Sequence, residues 1–160
     1  MTAVDPVPGH LHTVTPRLVV RDGAGAIDFY RAAFGAEEIT ARLSGPDGEV
    51  IHAELRIGDS VVMITEDPGD PDAPAKAPPS LGGAVSAVMA TYWPDVDTAW
   101  DRALAAGAEV IYPLADQFYG ERGGRIRDPY GQQWMLSARI EHVPEGEMER
   151  RAAAFFSSEN

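Results

Sequence analysis

His52 and Glu54 stand two residues apart in the stretch IHAELRIGDSVVMIT, residues 51–65. An imidazole titrates near neutral pH and a carboxylate can accept a proton, so the two form a candidate acid/base pair. On a β-strand both would project from one face, roughly 6.5–7 Å apart. That is too far for a direct hydrogen bond in ideal geometry, but close enough for both to touch one ligand. The plainer reading is a polar sheet face on which Glu54 pairs with Arg56 and His52 bonds locally. Arg17 and Arg125 are candidate anion holders, because a guanidinium grips a carboxylate or phosphonate through two parallel N–H donors. Their plainer role is to neutralise some of the 25 acidic residues around them. His10-Leu11-His12 would place two imidazoles on one side of an extended arm. With His52 they could form a three-histidine metal site, although a His-x-His in a terminal arm is ordinarily just solvated. His142 reads as a packing or surface residue.

The elements that must position these groups can be read from the local pattern. Gly58-Asp59 suits a two-residue hairpin turn. It pairs Ile57 with Ser60, Arg56 with Val61, Glu54 with Met63 and His52 with Thr65. Alternation then places Ile51, Ala53, Leu55, Ile57, Val62 and Ile64 on an apolar face against a helix. His52, Glu54, Arg56, Val61, Met63 and Thr65 share the other, mixed face.

This unit is used twice. A shift of 72 residues carries Gly35-Ala36-Glu37 onto Gly107-Ala108-Glu109, and Val61–Ile64 onto Gln133–Leu136. Each glycine suits a helix C-terminus, where a left-handed residue without a Cβ is cheap. Upstream of the glycines the register slips by about one residue. The first module reads as strand 15–20, helix 24–34 and strands 37–44, 50–57 and 60–65. The second reads as strand 85–92, helix 95–106 and strands 109–115, 122–128 and 133–138. Residues 1–14 form an arm, 15–66 the first module and 67–84 a Pro/Gly-rich linker expected to be mobile. Residues 85–138 form the second module, and 139–160 an extension with a short amphipathic helix for packing or dimer contact.

Composition narrows the partners. The net charge of −12 repels phosphate backbones, so nucleic acid is not expected. No stretch is long and apolar enough to span a membrane, and the N-terminus has no signal-peptide pattern. There is no cysteine, which excludes disulfides, thiolate nucleophiles and Cys-ligated metal centres and fits a cytoplasmic protein.

Three stretches carry a family resemblance: TPRLVVRDGAGAIDFYRAAFGAEE, IHAELRIGDSVVMI, and YGERGGRIRDPYGQQWMLSARIEHV with EMERR after it. Together they cover most of residues 15–151 and resemble the vicinal oxygen chelate superfamily, which includes glyoxalase I, extradiol dioxygenases, fosfomycin-resistance transferases and bleomycin-binding proteins. The PhnB-like branch is the nearer match. The resemblance implies an α+β fold of two βαβββ modules whose curved sheets enclose a cleft, and a homodimer. In the metal enzymes of the superfamily, His or Glu side chains on the first and last strands hold a divalent metal. Carried over, those positions fall near Thr15, Met63, Val88 and Met135. None is a hard-metal ligand, and a thioether suits Mg, Mn or non-haem Fe poorly. The expectation is therefore no metal and no cofactor, and a cleft floored by Met63 and Met135.

Residues expected to bind the ligand are Arg17, Met63, Thr65, Arg125 and Met135. Aromatic and loop contributions are expected from Tyr92, Trp93, Tyr119 and Arg122. Core is the plainer reading of Trp93. The Gly123-Gly124 pair after Tyr119-Gly120-Glu121-Arg122 would let a ligand approach the backbone or a lid move, and the plainer reading there is an ordinary bulged strand entry. Asp128-Pro129-Tyr130-Gly131 is read as a turn without chemistry. Two functions fit: a metal-independent cleft binding a natural product, drug or metabolite, or an isomerase or lyase on a small anionic substrate with His52 as acid/base. Glyoxalase I chemistry is not expected, since it relies on a metal to stabilise an enediolate.

Overall fold

A computed structural model describes residues 5–158. The first four residues of the arm and the last two of the C-terminal extension lie outside the described residues. The fold is α+β, with two sheets built on the same plan and three helices. The described residues form two compact units, 5–86 with 129–132, and 87–128 with 133–158. The turn 129–132, expected in the second module, thus groups with the first unit, where Gln132 Nε2 donates to the Val19 carbonyl at 2.9 Å.

In the first unit, β1 (Arg17–Val20) leads into α1 (Gly23–Phe34), followed by β2 (Glu37–Glu38), β3 (Leu43–Ser44), β4 (Val50–Ile57) and β5 (Ser60–Glu66). The strand expected over 37–44 is split into β2 and β3, both paired with β4. The sheet order is β1-β5-β4-β2, with β1 parallel to β5 and the other pairs antiparallel. Asp22 caps α1 by accepting from Gly25 N at 2.8 Å. Gly35, at φ +66°, ends the helix in the left-handed conformation. The helix buries Ile27, Phe29, Tyr30 and Phe34, and the sheet answers with Leu55, Val62 and Ile64.

In the second unit, β6 (Met89–Tyr92), α2 (Val96–Ala105), β7 (Glu109–Asp116), β8 (Glu121–Arg127) and β9 (Gln133–Arg139) give the order β6-β9-β8-β7. Asp95 caps α2, accepting from Thr98 N and Thr98 Oγ1. Trp134, Leu136 and Ile126 are buried with Trp100 of the helix. The first strands are offset by 73 residues rather than 72: Arg17 lies opposite Met63 and Ala90 opposite Met135. α3 (Glu145–Ser158) is docked by Arg151, which pairs with Glu141 at 2.7 Å and donates to the Phe118 carbonyl at 3.2 Å.

Two expectations change. Ile51 is not on the helix face: it is 42% exposed, while Val50 beside it is 1% exposed. Across β3 and β4, Leu43 pairs with His52 and Ser44 with Val50, so Ile51 is an extra residue in β4. Such a bulge reverses which neighbours face inward. Nor is the linker without structure. Buried Asp67 accepts from Gly69 N, Ala77 N and Ser80 Oγ at 2.9, 2.8 and 2.6 Å. These bonds tie residues 67–80 to the end of β5, and Pro78–Leu81 form a 3₁₀ turn.

Candidate functional site

On the first sheet, the face away from α1 carries the row Arg17, Met63 and Glu54 on adjacent strands. Glu54 is 8% exposed, on an inner strand where burial alone would favour the neutral acid. Three donors converge on it. His10 Nε2 approaches Oε2 at 2.9 Å, His52 Nε2 approaches Oε1 at 3.3 Å, and Thr40 Oγ1 donates to Oε2 at 3.3 Å. Burial pushes the Glu54 carboxyl up, but the hydrogen bonds of His10 and His52, the charge of His10 and the Thr40 hydroxyl outweigh it. The net effect holds the group below the usual carboxylate range.

Arg17 Nη2 lies 3.4 Å from His52 Nδ1 and donates to the Ile51 carbonyl at 3.3 Å. A guanidinium has no acceptor, so His52 Nδ1 must accept. The proton of a neutral His52 then sits on Nε2 and points at Glu54, which leaves the ring engaged at both nitrogens. Thr65, expected to contact ligand, donates to the same Ile51 carbonyl at 2.9 Å. The direct His52–Glu54 contact departs from the spacing expected of an ideal strand, and the bulge at Ile51 sets His52 outside that ideal alternation. The arm does fold back here, but with His10 rather than a His10–His12–His52 set. His12 is exposed.

On the second sheet, the face away from α2 carries Tyr112, Arg125, Met135 and Ala90 in one row across β7, β8, β9 and β6. The next row is Ala115, Gly123, Ser137 and Tyr92. The Arg125 guanidinium lies over the Tyr112 ring, 5.3 Å from its centroid. At the end of this face the Tyr92 hydroxyl donates to Glu121 Oε1 at 2.9 Å. That bond, then burial, raises the Tyr92 phenol above its usual range. Burial, then the charge of Glu121, raises Tyr119 likewise.

Arg122 and Trp93, expected at the ligand, stand on the α2 side of the sheet. Arg122 shares the α2 side of β8, paired with Asp97 at 2.7 Å and Asp116 at 2.9 Å. Trp93 donates its indole N–H to Thr91 Oγ1 at 2.8 Å, and Thr91 stands on that same side, in register with Leu136. Gly124 does not open the backbone to a ligand. A Cβ there would come within 2.6 Å of Trp100, so the position exists to seat α2. The Asp128 turn has a structural acceptor, since Trp134 Nε1 donates to Asp128 Oδ2 at 2.9 Å. Sequence reasoning missed Thr40 and Tyr112. Thr40 lies between two short strands that were read as one, and Tyr112 sits on a strand whose bulges change its alternation.

Among the described residues, no group of three or more His, Cys, Asp or Glu is arranged to hold a metal ion. The inherited positions Met63 and Met135 supply thioethers, and Arg17 and Arg125 stand beside them on the neighbouring strands. A dication is poorly served by soft donors next to cations, so the residues present do not fit the metal of the chelating enzymes.

The duplicated β-α-β-β-β plan and its sheet order are those of one superfamily. A sequence model of the Glyoxalase/Bleomycin resistance protein/Dioxygenase superfamily matches residues 9–136, and the chain belongs to that superfamily. It is 44% identical over 131 residues to an uncharacterized protein of Mycobacterium bovis, covering 81% of this chain and 85% of that one. Among solved structures it is similar to TioX from Micromonospora sp. ML1, with a TM-score of 0.62 and 28% identity over 81% of this chain and 99% of that one. The PhnB protein from Bacillus cereus shares the fold at a TM-score of 0.58 and 23% identity, covering 79% of this chain and 99% of that one. No described helix is long and apolar enough to cross a membrane.

Proposed function

We propose that this protein is a PhnB-like, bleomycin-resistance-type binding protein that holds a natural product, drug or metabolite on its helix-free sheet faces without a metal. In this reading it works in the cytoplasm as a homodimer, with no nucleic acid partner. The observation that carries the reading is the state of His52. Arg17 occupies Nδ1 and Glu54 takes Nε2. A general base needs a free nitrogen within hydrogen-bond reach of the substrate proton. Glu54, held ionised by three donors, is a weak base for the same reason. Half-buried Met63 and Thr65 on the first sheet, and on the second half-buried Met135 with the exposed rings of Tyr92 and Tyr112, offer each face apolar and aromatic contact suited to small molecules.

The alternative is an isomerase or lyase on a small anionic substrate. It draws on the same contact, since an anion held by Arg17 would free His52 Nδ1. A panel of aromatic natural products and small organic acids, titrated calorimetrically in EDTA, separates the two. Binding without turnover in wild type, unchanged in His52→Ala, is the expected result. A bound compound that is converted by wild type, and bound but not converted by His52→Ala, would establish the enzyme instead.

A further inference from the structure

Arg125 Nε is, among the described residues, the sole buried side-chain nitrogen or oxygen without a hydrogen-bond partner. A buried donor left unpaired is costly, and more so on a cation. Acids are not scarce, since the chain has 25 of them against 13 lysines and arginines. The neighbours on β8 have found theirs: Arg122 pairs with Asp97 and Asp116, and Arg127 with Glu109. At the matching place on the first sheet, beside Met63, Glu54 is satisfied three times over. Arg125 has instead the face of Tyr112, which steadies a guanidinium but accepts no N–H bond in its plane.

The surroundings of Arg125 on this face are small. Gly123 and Ser137 pair beside it, and Ala90 lies beyond Met135. A side chain at Gly123 would approach Ser137 Oγ to 2.9 Å, so the floor stays low only with glycine. Two tyrosine rings, Tyr92 and Tyr112, each 60% exposed, stand at its borders. The acid at this end of the face, Glu121, is held by Tyr92.

We propose that Arg125 is an anion subsite for a planar organic acid. The ligand's carboxylate takes the terminal guanidinium N–H donors of Arg125, which are not among the buried atoms, and its ring lies over the Gly123–Ser137 floor against Met135 and Tyr112. The inference rests on the reading of this face as a small-molecule site and names the class of ligand.

The test is an NMR titration of the full chain, following the arginine Nε–H resonances, with benzoate, neutral benzamide and inorganic phosphate as probes. Arg125→Lys assigns the resonance by its loss, and Arg125→Met removes the charge. Benzoate is expected to shift the Arg125 signal saturably. It should bind Arg125→Met at least about tenfold more weakly, which is the loss of one charge-assisted contact. Phosphate should bind more weakly than benzoate, and benzamide should leave the Arg125 signal in place. An unmoved Arg125 signal with benzoate, or equal benzoate affinity in Arg125→Met, overturns the proposal. Phosphate matching benzoate removes the planar acid. Benzamide matching benzoate also overturns the anion subsite, yet leaves the small-molecule reading standing, so the two failures are told apart.

Discussion

At the scale of single residues, the chemistry turns on what already satisfies each polar group. His52 and Glu54 are visible in the sequence as a pair, and so is the shared face. That both nitrogens of His52 are engaged is not visible, because Arg17 arrives from 35 residues away in the chain and an ideal strand would hold Glu54 out of reach. Glu54→Gln removes the charge that His10, His52 and Thr40 serve, and should destabilise the protein by about 1–3 kcal/mol at pH 7. The pH dependence has a definite sign. The Glu54 carboxyl is held below its usual range in the folded protein. Its contribution is therefore present above the unfolded value near 4.3 and lost as pH falls through the lower folded value. Melting curves of wild type and Glu54→Gln should differ at pH 7 and converge as pH falls below the usual carboxylate range. A gap that is constant with pH would show that the charge is not what matters.

At the scale of elements, both helices, the Gly58 hairpin and the inner strands β4, β5, β8 and β9 were legible, because capping residues and clean alternation mark them. The failures share a cause. Irregularity of a single residue, at Ile51 in β4 and within β7, reverses alternation without leaving a composition signal. Gly123-Gly124 looked like an opening for a ligand, whereas Gly124 is where α2 sets Trp100 onto β8. Gly124→Ala should cost about 1–3 kcal/mol by overpacking, read as a lower urea midpoint with an unchanged slope. The linker is a second case, since its composition suggested mobility but Asp67 clasps it. Three hydrogen bonds hold the Asp67 carboxyl at about 2, Ser80 first. The clasp is thus present above the unfolded value near 3.9 and is lost only as pH falls through about 2. Asp67→Asn should make residues 68–83 a preferred cleavage site in limited proteolysis at pH 7. Equal protection in wild type and variant would show that the clasp does not hold the segment.

At the scale of the whole molecule, duplication and family were legible because a 72-residue shift aligns glycines and strand residues together. The residue types at Met63 and Met135 are legible as well, and the expectation of no metal rests on them. What each face binds was not, because that depends on unpaired groups such as Arg125 that appear only when partners are placed. The proposed binding face works without a metal. Its most direct test is a set of thermal melts with Ni, Mn, Zn and Fe(II), each against EDTA, on wild type and His10→Ala. No specific rise in melting temperature is predicted for any of the metals, with the two proteins responding alike. A stoichiometric metal that raises the melting temperature of wild type, and loses that effect in His10→Ala, would contradict the account and make the His10, His52 and Glu54 cluster a metal centre.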